Sequence, residues 1–176
     1  TRRNGILPNP AVYQVLDKLI NLFRSIPFII LLFCLLPLTR LLVGTAIGVR
    51  GAIVPLVFGT TPFFARQIEA SLWEVDPGLV EAAQAMGNSD FEIILHVYWR
   101  ESIAGIARGT TITLISLIGL TAMAGAVGAG GLGNYAYIYG QQRNQMDIIY
   151  VTVVILVLMV SVIQIIGNTI AKRNTH

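Results

Sequence analysis

The sequence carries little charge for its length. Of its 176 residues, only 12% are Asp, Glu, Lys or Arg, whereas 55% are hydrophobic and the mean hydropathy is +0.71. A soluble domain usually carries about 25% charged residues. The shortage argues against a soluble globular domain and indicates that much of the surface faces lipid. The net charge is +3, but the basic residues form no stripe, which argues against a nucleic-acid partner.

Several kinds of functional site are also missing. The one cysteine, Cys34, excludes an intramolecular disulfide, and the two histidines, His96 and His176, are not part of any Cys/His metal-ligand spacing. No G-x-x-x-x-G-K-[ST] sequence is present, so the chain does not bind ATP by that route. The segments 109–128 and 148–171 contain no Asp, Glu, Lys, Arg or His, although carriers driven by protons or sodium usually have such groups within the membrane.

Four segments are apolar enough to cross a bilayer, whose core of about 30 Å needs roughly 20 helical residues. The predicted spans are at about 13–38, 49–73, 103–128 and 147–171. Pro27 and Pro37 are placed to kink or end the first of these. The glycine-rich tail of the third, "GAGGLGNYAYIYGQQ", predicts a loop or a broken helix. We therefore predict an all-α polytopic membrane protein that forms a single domain over 1–176.

The distribution of basic residues predicts the orientation of these spans. With four spans, nine Lys and Arg residues fall on the side of the 74–102 loop and three on the other side, namely Arg40, Arg50 and Arg143. Because basic residues accumulate on the cytoplasmic side, the loop and both chain ends, including the C-terminus, are expected in the cytoplasm.

The polar loop reads as two helices with well-marked ends. Asp76 followed by Pro77 predicts a helix start, and Gly87 fits the left-handed position after its last residue, Met86. Ser89 begins a second helix with a capping box that Glu92 completes, and this helix should continue into the third span.

The first of these helices carries a candidate docking surface. Leu79, Ala82, Ala83 and Met86 share one face, and Glu81 points elsewhere; the two alanines would let another backbone approach closely. An amphipathic helix lying on the membrane surface is an equally good interpretation. A DNA-binding helix-turn-helix has similar spacing, but Asp90 and Glu92 would stand where the DNA phosphates lie, which argues against it.

Small residues also cluster near the end of the third span. Ala122, Gly125 and Ala126 recur at close helical spacing in "LTAMAGAVGAGG", and such faces allow close contact between helices. Simple packing and the lining of a pathway both explain this pattern. Met123 is the bulky, flexible side chain of the run and a candidate gate at a twofold axis.

The loop resembles a known motif. "EAAQAMG" is similar to the EAA loop of ABC-importer permeases, E-A-A-x-x-x-G-x9-I-x-L-P, in which Glu81, Ala82, Ala83 and Gly87 match. Val97 stands at the place of the isoleucine, and Trp99 and Arg100 replace the leucine and proline, so the distal half departs from the pattern. Over nearly the whole chain, "NLFRSIPFIILL" and "AMAGAVGAGGLGNYAYIYG" resemble the methionine-uptake permeases of type I importers.

This resemblance implies a transport subunit rather than an enzyme. It implies a permease fold of five spans, so that a first span would precede Thr1, with a cytoplasmic coupling helix formed around Asp76, Pro77, Met86 and Ser89. The implied partners are a second copy of the chain, two ATPase subunits that bind ATP and Mg²⁺, and an extracytoplasmic methionine-binding protein or lipoprotein. The expected location is the bacterial inner membrane. A permease for another small solute, a channel or carrier independent of ATP, and a structural membrane subunit remain as alternatives.

Overall fold

A computed structural model describes residues 9–174 of the chain, without the side chain of Ala126. The prediction that both chain ends face the cytoplasm concerns residues outside this described range. Every element within the described range is helical, which confirms the all-α class. The helices are α1 Pro10–Ser25, α2 Phe28–Cys34, α3 Leu36–Val43, α4 Gly48–Trp73, α5 Pro77–Ala85, α6 Asp90–Ala124, α7 Gly131–Tyr135 and α8 Met146–Arg173.

Two of these helices have irregular turns. A π-helical turn at Ile94–Tyr98 lies near the start of α6. A 3₁₀ turn at Gly125–Val127 follows the end of α6, and a second π-helical turn, Ala136–Gln141, extends α7. The predicted glycine-rich tail is therefore a broken helix.

Three described helices, α4, α6 and α8, are long and apolar enough to cross a membrane. The first predicted span, 13–38, is divided among α1, α2 and α3, none of which is by itself long enough to be a candidate span, so its crossing of the membrane stays a prediction. Proline lacks the amide hydrogen that a helix needs and disfavours helical backbone in the residue before it. Ile26 is accordingly extended, with φ −88° and ψ 122°, and Pro27 follows with ψ 134°.

Helices α4 and α6 run antiparallel and approach closely through small residues. A Cβ atom added to Gly105 would lie 2.8 Å from Ser71 Cβ, and one added to Gly109 would lie 2.8 Å from Gln67 Cβ. Helix α8 joins on the other side, where a Cβ on Gly167 would lie 2.8 Å from Thr111 Cβ. We call these three glycine contacts the small-residue seam. Lipid provides no hydrophobic drive between helices, so close packing of this kind holds the bundle together.

Helix α1 contacts α4 by different means. Arg66 on α4 forms ion pairs with Asp17 on α1 and with Glu69 on its own helix, and it donates to Asn21 Oδ1 at 2.9 Å. Nearer the end of α1, the rings of Phe23 and Phe58 lie 5.5 Å apart between centroids. We call this set of contacts the α1 clamp.

The buried core is small. Leu32, Ala52 and Ala124 form its centre, where α2, α4 and the end of α6 meet. In contrast, α8 exposes apolar side chains along most of its length, among them Val154, Leu158 and Ile165. A helix with this much apolar exposure needs lipid or another protein as its surroundings.

Candidate functional site

The helical loop at 74–102 has the predicted helix start. The Oδ1 atom of Asp76 accepts a hydrogen bond from the backbone N–H of Gly78 at 2.8 Å, and Pro77 occupies the first turn of α5. The carboxylate satisfies a backbone donor that has no partner within the helix, and proline has no such donor to satisfy. The start of α5 is therefore fixed by its own sequence.

The end of α5 is fixed in the same way. Gly87 has φ +81°, a left-handed conformation that side chains with a Cβ rarely adopt. Its N–H donates to Gln84 O at 2.9 Å, and the N–H of Asn88 donates to Ala83 O at 3.2 Å. These two bonds form a Schellman motif, which ends a helix and turns the chain sharply.

The next helix starts with the predicted capping box. The backbone N–H of Ser89 donates to Glu92 Oε2 at 2.8 Å, and the N–H of Glu92 donates to Ser89 Oγ at 3.4 Å. Helix α6 continues from here to Ala124, which confirms that the second helix of the loop and the third predicted span are one element. A displacement of α5 can thus be passed to the long helix through a single turn of chain.

One expected member of the docking surface faces inward. Ala83 is only 2% exposed, and Ile93, on the helix that packs against α5, is fully buried. The small side chain of Ala83 lets α5 lie close to the start of α6 within this chain. Contrary to the prediction, Ala83 is therefore not available for direct contact with another protein, because it is already buried within this chain.

The remaining residues of that face are open. Leu79 is 44% exposed and Met86 is 74% exposed, with the exposed Ala82 between them at helical spacing. Glu81 is also exposed but lies on another side of the helix. We call Leu79, Ala82 and Met86 the apolar face of α5. A short rigid helix with an exposed apolar face is suited to fill a groove on another protein.

The glycine-rich turn after α6 explains part of the small-residue pattern. A Cβ on Gly133 of α7 would lie 2.5 Å from Ala122 Cβ, and one on Gly125 would lie 3.0 Å from Asn134 Cβ. Helix α7 therefore folds back against the end of α6 in the same chain. Ala122 and Gly125 are at least in part packing residues, which was one of the two interpretations of the sequence.

Met123 is placed differently from these neighbours. Its side chain is 52% exposed, pointing away from the bundle core, whereas the adjacent Ala124 is fully buried. A flexible exposed side chain at this point can contact a second chain or lie in a pathway. The role of Ala126 rests on a side chain outside the described part of the structure, so the predicted gate stays a prediction.

Neither the small-residue seam nor the α1 clamp was predicted from the sequence. The seam carries a readable signal, since Gly105 and Gly109 form a G-x-x-x-G pattern in an apolar helix. No local sequence pattern indicates that Arg66 pairs with Asp17, because Asp17 lies 49 residues earlier in the chain. No group of three or more possible metal ligands occurs within residues 9–174.

Comparison with known proteins adds a family match. The family described as "Binding-protein-dependent transport system inner membrane component" matches residues 5–175. A Vibrio cholerae protein named "Probable D-methionine transport system permease protein MetI" is 46% identical over all 176 residues, which cover 78% of its length. The Bacillus subtilis "Methionine import system permease protein MetP" is 46% identical over 172 residues, 98% of this chain and 78% of that protein.

A solved structure has the same fold. It is described as "Inward facing conformations of the MetNI methionine ABC transporter: CY5 native crystal form". The match has a TM-score of 0.95 at 44% identity and covers 100% of this chain and 82% of the other.

Proposed function

Because the chain belongs to the family of binding-protein-dependent transport system inner membrane components, we propose that it is the permease subunit of an ATP-driven methionine importer. The names of its relatives in two distant bacteria supply the substrate, and the likeness to a MetNI transporter structure supplies the type of machine. The chain forms the membrane pathway and carries out no chemical reaction of its own.

The energy comes from a separate ATPase, which binds ATP and Mg²⁺ and docks on the apolar face of α5. The observation that carries this step is the capped helix itself. Asp76 and Gly87 fix its two ends, Ser89 starts the next helix, and Leu79, Ala82 and Met86 stay open. Glu81 lies beside this face. A rigid helix joined by one turn to α6 transmits motion better than a flexible loop.

The complete transporter pairs two copies of this chain with two ATPase subunits and an extracytoplasmic methionine-binding protein or lipoprotein. Such a transporter lies in the bacterial inner membrane, with the α5 loop and the C-terminus in the cytoplasm, where the ATP is. Met123, exposed near the other end of α6, faces the pathway.

Reconstitution tests the transport function. The chain, co-purified with its ATPase and placed in vesicles with the binding protein, should take up methionine only when ATP is supplied on the ATPase side. Uptake without ATP would indicate a carrier, and uptake of a different small solute in preference to methionine would indicate another permease of the family.

The docking role has its own test. Ala82→Trp should block the approach of the ATPase by overpacking, at a cost of roughly 1–3 kcal/mol, while Ala82→Ser keeps the small volume and serves as the matched control. Both variants should insert into membranes normally. The expected result for Ala82→Trp is loss of bound ATPase or ATP hydrolysis without uptake. Parent-like assembly, hydrolysis and uptake would contradict docking at this face. Ala83→Trp is a poor choice, since it would disrupt the loop from inside.

A further inference from the structure

On the basis of the proposed function, we propose that a recess between α1, α2, α4 and α6 is a transient binding site for methionine within the membrane part of the chain. The recess lies beside the break at Ile26 and Pro27 and faces the middle of α4 and the last third of α6. Irregular backbone at membrane depth is tolerated where it lines a cavity or is buried in protein. The irregular backbone at Ile26 and Pro27 is therefore tolerated because it borders the recess.

The size of the recess fits a small solute. Its volume is about 280 Å³. Ligand pockets usually begin near 300 Å³, so this one suits a single amino acid better than a larger substrate. It is also larger than the roughly 30 Å³ that one water molecule occupies in the liquid.

Most of its wall is aromatic and aliphatic. Phe23, Phe28 and Phe63 line it together with Leu31, Leu117 and Leu120. A thioether is polarisable and makes favourable contacts with aromatic rings. The wall therefore suits the side chain of methionine more than a charged or strongly polar side chain.

A hydroxyl without a partner also lines this wall. Thr60 Oγ1 is buried, and no hydrogen-bond partner for it exists among the described residues. Leaving a buried hydroxyl unpaired costs about 1–3 kcal/mol. Its neighbour in the recess, Thr113, already donates to Gly109 O at 2.8 Å. Thr60 is thus free to donate to or accept from a bound molecule.

The charge of the lining favours the carboxylate end of an amino acid. Arg24 is the single charged side chain among the residues that line the recess in the described part of the chain, and Ser116 adds a second hydroxyl. A zwitterion could place its carboxylate toward Arg24 and its ammonium group toward the hydroxyls. A lipid acyl chain would leave Thr60 unpaired, and water alone would gain nothing from three phenylalanines.

Photolabelling of the complete transporter tests this site. Photo-methionine, a diazirine analogue of methionine, is added to the permease with its ATPase and binding protein in lipid vesicles under turnover and activated by light. Mass spectrometry should then find adducts on the segments that contain Phe63 and Leu117. Excess methionine should remove these adducts, and excess lysine should not.

A pair of matched variants separates binding from stability. Thr60 and Thr39 both have a buried Oγ1 atom without a described partner, but only Thr60 lines the recess. Thr60→Val should lower the adduct yield about tenfold, as expected for one lost hydrogen bond to a charged group, whereas Thr39→Val should leave it unchanged. Both replacements should leave thermal stability the same or raise it.

Three results would overturn the proposal. They are adducts only outside the recess, equal yields for Thr60→Val and Thr39→Val, and uptake of methionine by the parent without any adduct in the recess. A lipid or water occupant would produce the last of these. Failure of the parent to take up methionine at all would instead contradict the proposed function, so the two failures are distinguishable.

Discussion

The small-residue seam and the α1 clamp hold helices together in opposite ways. At the seam, Gly105, Gly109 and Gly167 bring backbones so close that an added Cβ would collide with the facing side chain. At the clamp, Arg66 reaches across to Asp17 and Asn21 with a long flexible side chain. The seam allows little adjustment, whereas the clamp can stretch or exchange partners. The difference suggests that α4, α6 and α8 move as one body and that α1 can shift against them.

The largest effects are expected within the seam. Gly109→Ala should lower the free energy of unfolding in detergent by up to about 3 kcal/mol, because the new Cβ would lie 2.8 Å from Gln67 Cβ. Gly119 on the same helix has no heavy atom within 4 Å of an added Cβ. Gly119→Ala should therefore stabilise by roughly 0.5–1 kcal/mol through reduced backbone freedom. The same sign for both variants would contradict the seam.

A loss of the same size is expected where α8 joins. Gly167→Ala should destabilise by up to about 3 kcal/mol, because its Cβ would overlap with Thr111 Oγ1 and lie 2.8 Å from Thr111 Cβ and Cγ2. Removing Oγ1 and Cγ2 in Thr111→Ala should restore part of the loss in the double variant, because Thr111 Cβ, 2.8 Å away, remains. A coupling energy of about 1–2 kcal/mol from the four unfolding measurements is the expected result, and additive losses would show that the two residues do not meet.

Whether a structural feature could be predicted from the sequence depends on how far apart its interacting residues are in the chain. The ends of α5 and the start of α6 were predictable because Asp76, Gly87 and Ser89 form hydrogen bonds with groups only two or three residues away. The break at Pro27 was predictable in position, but whether the chain would bend or stop depends on what packs beside it. The inward position of Ala83 depends on Ile93, and the partners of Arg66 depend on α1 lying against α4; neither follows from local pattern.

Weakening the clamp should have less effect on stability than weakening the seam. Arg66→Gln should cost about 1 kcal/mol, between the values for exposed and buried ion pairs, since the paired side chains are 21–32% exposed. Asp17→Asn should cost no more, because Glu69 still pairs with Arg66. Comparing the two variants and their combination by thermal unfolding measures the coupling, and a loss as large as that of Gly109→Ala would remove the distinction between the two contacts.

The smallest effect is expected at an exposed pair. Arg108 Nη2 lies 3.3 Å from Glu74 Oε2, with both side chains more than half exposed. Exposed pairs contribute about 0–1 kcal/mol and are screened by salt. Glu74→Gln should change the unfolding free energy by less than about 0.5 kcal/mol at moderate salt. A loss above that of Arg66→Gln would place the mechanical link between α4 and α6 at this pair instead.

The π-helical turn at Ile94–Tyr98 affects how the chain tolerates changes in length. A turn of this kind holds one residue more than an α-helical turn, so it behaves like a one-residue insertion that the helix has absorbed. Deleting one residue there should restore regular α-helix and keep the orientation of the flanking segments. The same deletion later in α6 would rotate everything beyond it by about 100°, carrying Gly105 or Thr111 off the seam. Shortening should therefore be neutral in one turn of this helix and disruptive in the turns that follow.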